Sequence, residues 1–240
     1  MPLLETRALT LGAAGRILVR ELSWHVRAGE RWCVIGRNAV GKSTLLRALA
    51  GLPVPRREGT VNWLGRDQAD WPSADAAALR AFAPQQSNDR FPIAVQRMLE
   101  LAVCATGGAD PRALLEALDA APLAERDVMQ LSGGERQRVA LAQCAAQGAP
   151  LMLLDEPVAF QDPGHQRQVA RWLASLGERC LVFSAHDVNW IAGAATHVLA
   201  LHGDGRWQAG PVKQMFSAER LEVVYGCRWR QADGAWLMVD

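Results

Sequence analysis

The stretch Gly36-Arg-Asn-Ala-Val-Gly41-Lys42-Ser43-Thr44 has the residue types and spacing of a loop that holds phosphate. Glycines let the backbone approach an anion closely and turn through positive φ. Backbone N–H groups in such a loop, and in the helix it opens, point at phosphate oxygens. The expected cradle is Gly36, Asn38, Gly41, Lys42, Ser43 and Thr44. Lys42 is expected to reach β- and γ-phosphates, and the Ser43 hydroxyl to ligate Mg²⁺. An apolar strand precedes the loop and a helix follows it, the context such a motif requires. A second stretch, Leu151-Met-Leu-Leu-Asp155-Glu156-Pro157, ends an apolar run in two acids. A buried parallel strand delivers those carboxylates to its C-terminal edge, beside the phosphate loop of a neighbour. Asp155 would hold Mg²⁺, directly or through water, and Glu156 would polarise an attacking water as general base. A third, Leu131-Ser132-Gly133-Gly134-Glu135-Arg136-Gln137, is a turn that opens a helix and so a second anion-binding terminus. One chain then carries two phosphate-type sites and one lysine-bearing loop. That economy makes sense if two chains meet head to tail.

With these motifs in this order the chain resembles the ATP-binding cassette family, whose signature is the serine-glycine-glycine stretch. The resemblance runs from the first strand to about Gly226. It implies ATP and Mg²⁺ as cofactors. It implies that Ser132, Gly133 and Gly134 close over a partner's ATP, and that Asp162 lies in the loop crossing the dimer interface. Gln85, in Ala83-Pro84-Gln85, matches the glutamine that joins core to helical lobe and senses γ-phosphate and Mg²⁺. His186, in Ser184-Ala185-His186-Asp187, matches the switch histidine that contacts the γ-phosphate. The implied catalytic set is Lys42, Gln85, Glu156 and His186, and the implied metal set Ser43, Gln85 and Asp155.

Some positions depart from the family pattern. Ala39 stands where glycine is usual, and alanine at positive φ costs on the order of 1 kcal/mol. Arg37 replaces the common proline or serine. The interface loop reads Val158-Ala-Phe-Gln-Asp162 in place of a serine-alanine-leucine-aspartate run. Between the first two strands, Gly12-Ala-Ala-Gly-Arg16 offers no aromatic for adenine; the Arg16 guanidinium could stack instead, or the adenine site is simply weaker.

The elements that must position these residues follow from pattern. Leu3–Leu11, Ile17–Val26, Arg31–Ile35 and Gly59–Leu64 read as strands, with Ala81–Ala83, Leu151–Asp155 and Cys180–Ser184 as short buried ones. Lys42–Ala50, Pro72–Arg80, Val95–Ala105, Pro111–Ala121, Gly134–Gln147 and Gly164–Leu176 read as helices. His197–Leu201 and Arg206–Ala209 form a hairpin; the tail adds a helix, Ser217–Val224, and an Asp233-Gly234 turn between tryptophan-bearing strands. Together with the resemblance this predicts an α/β fold: a P-loop NTPase (RecA-like) core with an antiparallel β subdomain and an inserted α-helical subdomain. Residues 1–84 and 149–210 are assigned to the core and β subdomain, 85–148 to the helical subdomain and 211–240 to the tail, all in one domain.

Composition bounds the rest. The chain has 240 residues, 50% hydrophobic, with a net charge of +1, so nothing marks the whole as a nucleic-acid binder. Its apolar runs are too short to cross a bilayer and its start does not read as a secretory signal. The five cysteines are scattered and read as small buried hydrophobes in a reducing compartment. Trp172 and Trp190 sit on helical patterns.

The resemblance implies partners as well: a second cassette subunit in a homodimer, transmembrane permease subunits, and a periplasmic or extracellular substrate-binding protein, with no nucleic acid. It implies a place on the cytoplasmic face of the cell inner membrane. Permease coupling helices would sit near Gln85–Leu101, where Phe91, Pro92, Ile93 and Val95 form an apolar patch. Three traits look like importers of iron-siderophore, haem and vitamin B12: Phe91-Pro-Ile-Ala-Val95, the asparagine in His186-Asp-Val-Asn189, and Leu221-Glu-Val-Val-Tyr225-Gly226. An exporter of haem or lipid, a cassette working on nucleic acid or ribosomes, and one that turns ATP over poorly are the alternatives.

Overall fold

The computed structural model describes residues 1–86, 91–106 and 109–239. The strands are β1 (Leu4–Ala13), β2 (Arg16–Val26), β3 (Arg31–Ile35), β4 (Arg56–Trp63), β5 (Arg66–Asp67), β6 (Arg80–Ala83), β7 (Leu151–Leu154), β8 (Cys180–Ser184), β9 (His197–Leu201), β10 (Trp207–Pro211), β11 (Arg228–Ala232) and β12 (Ala235–Val239). The helices are α1 (Lys42–Leu49), α2 (Ser73–Leu79), α3 (Val95–Thr106), α4 (Pro111–Ala117), α5 (Gly133–Ala146), α6 (Pro163–Ser175), α7 (Val188–Ala194), α8 (Val212–Met215) and α9 (Ala218–Tyr225).

The central sheet has the order β10-β9-β3-β8-β7-β6. All neighbours from β9 to β6 are parallel, and β10 closes one edge antiparallel. Side chains alternate across a strand, so a parallel sheet buried on both faces divides each apolar run in two. Trp32, Val34, Leu151, Leu153, Cys180 and Val182 join a core with α1 and with Leu4, Leu9, Val61 and Trp63 of the second sheet. Cys33, Ile35, Met152, Leu154, Leu181 and Phe183 join the opposite core, with residues of α3–α7 and α9. The second sheet, β2-β1-β4-β5, is antiparallel. The Trp63 indole N–H donates to Leu49 O at 3.1 Å and ties it to α1.

Several elements differ from expectation. The helix from Pro111 stops at Ala117, because Asp119 takes a left-handed φ of 50°. A 3₁₀ turn, Ala121–Leu123, follows it. The last sheet strand runs Trp207–Pro211, since its pairing with β9 starts at Trp207. The patch around Phe91 is divided: Phe91 is exposed, but Val95 is fully buried at the start of α3 and Ile93 packs on the core. Residues 87–90 of that groove, and the Cys104 side chain, lie outside the described set. Cys33, Cys144 and Cys180 are buried free thiols, and burial pushes Cys144 up to about 12.

Between β3 and α1 the chain turns through Gly36 at φ 145°, Ala39 at 58° and Gly41 at 113°. A Cβ on Gly36 would meet Leu201 O at 2.6 Å, and one on Gly41 would meet Leu18 Cβ at 2.9 Å, so neither position admits a side chain. Ala39 carries its Cβ in the left-handed region, at a cost of about 1 kcal/mol. Ala39→Gly should raise the stability of the chain by about that much, a Tm gain of about 2–4 °C by calorimetry. An unchanged or lower Tm would remove the strain argument.

Candidate active site

Two clefts gather most of the residues singled out by sequence; Gly36 and Asp155 line neither. The first, about 660 Å³, is lined by Asn38, Gly41, Lys42, Ser43 and Thr44 of the loop and α1, together with Gln85, Glu156 and His186. Ala13, Ala14 and Arg16 of the β1–β2 turn also line it. Gly36 lies at the root of the loop against Leu201. The N-cap of α1 is Gly41, so no side chain occupies the helix's first N–H groups. The Lys42 ammonium is folded back, donating to Gly36 O at 3.1 Å and Arg37 O at 3.2 Å. Burial pulls its pKa down from the usual lysine range, and the charges of Glu156 and Asp155 partly restore it.

The acids sit where β7 ends. Asp155 is buried, and its N–H donates to Ala83 O at 2.8 Å, extending the β6–β7 ladder by one residue. The fully buried Ser184, last residue of β8, donates its hydroxyl to Asp155 Oδ1 at 2.6 Å and accepts the Glu156 N–H at 2.9 Å. Glu156 adopts φ 52° and turns its carboxylate into the cleft. There Gln85 Nε2 donates to Glu156 Oε2 at 3.0 Å, and His186 Nε2 lies 2.7 Å from Oε1. From α5, Gln137 Nε2 donates to the Glu156 carbonyl at 3.2 Å. Ser184 and Gln137 were not among the residues expected. The signal for Ser184 is a lone hydroxyl closing an apolar strand one step from the acid-bearing one; Gln137 is placed only by the packing of α5.

The second cleft, about 480 Å³, is lined by Ser132, Gly133, Gly134, Asp162 and Phe160 among others, and shares no residue with the first. Ser132 caps α5: its hydroxyl accepts the Glu135 N–H at 3.4 Å, while the Glu135 carboxylate accepts from the Ser132 N–H and hydroxyl, each at 2.8 Å. Those bonds, with Arg126 nearby, hold Glu135 below its usual pKa. Gly134 is needed sterically, since a Cβ there would meet Phe160 O at 2.8 Å, whereas a Cβ on Gly133 would sit in ordinary contact with the Phe160 ring at 3.5 Å. Asp162 caps α6, its Oδ1 accepting from Gly164 N–H at 2.8 Å and His165 N–H at 3.0 Å. Its Oδ2 lies 2.6 Å from His165 Nδ1, and that hydrogen bond is the main reason its pKa is lowered.

The geometry assembles one cleft lined by an ammonium, Lys42, and a carboxylate, Glu156. Ser184→Ala would strip a buried carboxylate and a backbone N–H of their shared partner. The expected loss is about 1–3 kcal/mol of stability in urea titration, with slower hydrolysis. A variant as stable and as active as the parent would show that the hydroxyl carries neither.

Residues 19–159 match the family model for the ABC transporter. The hemin import ATP-binding protein of Streptomyces coelicolor is 38% identical over 228 residues, 90% of this chain and 81% of that protein. The cobalamin import ATP-binding protein of Halobacterium salinarum is 35% identical over 237 residues, 94% of this chain and 59% of that protein. Among solved structures, a transporter described as of metal-chelate type, in an inward-facing conformation, superposes with a TM-score of 0.78 at 22% identity, covering 99% of this chain and 96% of that one. The α/β architecture is therefore that of a P-loop NTPase. The chain belongs to the ABC transporter family, as a subunit that binds and hydrolyses ATP.

Proposed function

We propose that this chain works as a head-to-tail homodimer that drives import of a metal chelate of the hemin, cobalamin or iron-siderophore kind. One observation carries the reading: the lysine and the serine-glycine turn line two separate clefts on one chain. A second copy, related by a twofold axis, lets each turn complete the other's cleft. The relatives named for hemin and cobalamin import favour import over export or nucleic-acid work.

In this reading the loop from Gly36 to Thr44, with Asn38 and Gly41, cradles the phosphates through backbone N–H groups, and Lys42 exchanges its loop carbonyls for phosphate oxygens. Arg16, on the cleft's wall, stacks on the adenine by its guanidinium plane. Glu156 takes a proton from the attacking water; each of its oxygens keeps a lone pair beyond the bonds to Gln85 and His186. His186 contacts the γ-phosphate. Ser132, Gly133, Gly134 and Asp162 of the partner copy close the far side.

The residues present suit Mg²⁺, a hard cation that takes oxygen donors. Ser43 offers a hydroxyl, Gln85 a carbonyl oxygen left open by its N–H bond to Glu156, and Asp155 a carboxylate oxygen beyond the one held by Ser184. When bound, the ion neutralises charge that develops on the phosphates.

Among the described residues no helix is long and apolar enough to cross a membrane. We infer that separate permease subunits hold the chain at the cytoplasmic face of the inner membrane, that exposed Phe91 is part of the contact, and that a substrate-binding protein serves the far side. Residues 85–148 would move as a helical lobe against the core of 1–84 and 149–210, with 211–240 as a tail.

Glu156→Gln should lower turnover on the order of a hundredfold or more while ATP still binds. Light scattering of that variant should show the mass doubling on addition of ATP, and a further Ser132→Arg change should abolish the doubling. A mass indifferent to both would overturn the shared-site reading. Chelating Mg²⁺ should stop hydrolysis by the parent chain reversibly; persistence in chelator would exclude the assignment of Ser43, Gln85 and Asp155.

A further inference from the structure

Two sequence features have no part in the chemistry above: Asn189, three residues beyond His186, and the tail that follows Tyr225-Gly226. The structure joins them. The Asn189 side-chain amide makes a two-point clamp on the backbone of β12. Its Nδ2 donates to Trp236 O at 3.0 Å, and its Oδ1 accepts the Trp236 N–H at 2.7 Å. One amide thus occupies both hydrogen-bonding groups of a hairpin residue, as a neighbouring strand would.

The clamp lies at the root of the segment that carries His186. That segment, between the end of β8 and the start of α7, is short, so its path is set by its two ends. The β8 end is fixed by Ser184, bonded to Asp155 and to the Glu156 N–H. At the α7 end Asp187 caps the helix, its Oδ1 accepting the N–H groups of Asn189 and Trp190 at 2.8 and 3.1 Å. The hairpin then bears on that first turn through Asn189. His186, Asn189, Tyr225, Trp229 and Trp236 line one cleft, of about 640 Å³, so the histidine's outer side faces the hairpin and its inner side faces Glu156. Tyr225 and Trp229 anchor the hairpin's base with ring centroids 5.6 Å apart.

We infer that Asn189 is a positioning residue, and that the β11–β12 hairpin it clamps holds His186 at its 2.7 Å contact with Glu156. The inference rests on the reading of His186 as the γ-phosphate contact. Asn189 is itself exposed, so its replacement leaves both cores intact. A loosened hairpin acts on the histidine's placement, and no residue of β11 or β12 lines the phosphate-loop cleft; it therefore lowers kcat while KM for ATP stays nearly constant.

The test is a double-mutant cycle on the full chain, with steady-state ATPase as readout. Asn189→Ala should lower kcat on the order of tenfold, with KM within about twofold. Asn189→Asp, which keeps the acceptor for the Trp236 N–H, should recover part of that loss. In a His186→Ala background, Asn189→Ala should cause no further loss. Equal losses in both backgrounds would show an effect independent of the histidine and overturn the inference. So would an unchanged kcat for Asn189→Ala when His186→Ala alone is slow, and that result would leave the histidine's role standing. An unchanged kcat for His186→Ala would instead sink the reading of the histidine and the inference with it.

Discussion

A single hydroxyl separates the two acids of this site. Adjacent residues of an extended strand point to opposite faces, and here Glu156 lines the cleft while Asp155 is buried beside it. Ser184 intervenes by bonding both: it donates to the Asp155 carboxylate and accepts the Glu156 N–H. The backbone breaks from the strand there, Asp155 stays buried, and Glu156 rotates through φ 52° into the cleft. Gln85 and His186, from the chain just past β6 and β8, then converge on one carboxylate. That convergence needs β6, β7 and β8 in register, which the parallel ladders and the Asp155 N–H to Ala83 O bond provide.

Part of the backbone strain lies beside these residues. Ala39 in the phosphate loop, Glu156 after β7 and Phe160 beside the serine-glycine turn all hold left-handed φ angles with a side chain attached. Each such residue costs on the order of 1–3 kcal/mol, and it persists because its surroundings over-determine it. Here the surroundings are a sheet buried on both faces. The alternation within β3, β7 and β8 supplies two cores from the same strands, and the loops at their ends inherit a rigid base. Phe160 shows the reverse dependence. It is largely exposed, yet its carbonyl comes so close to Gly134 that a side chain there would force a shift.

Much of this was legible in the residues. Arg31–Ile35 and Cys180–Ser184 are continuous apolar runs with sharp polar ends, and both strands occur with those bounds. The Lys42 helix and the Pro163 helix begin at loop residues with strong local chemistry. Local pattern fails where tertiary contact decides. Nothing in Pro111–Ala121 announces that Asp119 will turn left-handed and end the helix early. The run Phe91–Val95 looks uniformly apolar, yet it divides into an exposed ring and a buried valine because α3 starts inside it. Gln137 looks like one more polar residue on a helix; its bond to the Glu156 carbonyl exists only because α5 packs beside β7.

The polar groups of the first cleft bond to one another. Lys42 bonds two loop carbonyls, and the Glu156 carboxylate holds Gln85 and His186. Exchanging one such hydrogen bond for another changes free energy by only about 1 kcal/mol. The larger gain must come from donors that lack a partner beforehand. At α1 these are the N–H groups left uncapped at Gly41, which suit an anion. In the second cleft the Ser132 hydroxyl is already engaged with Glu135.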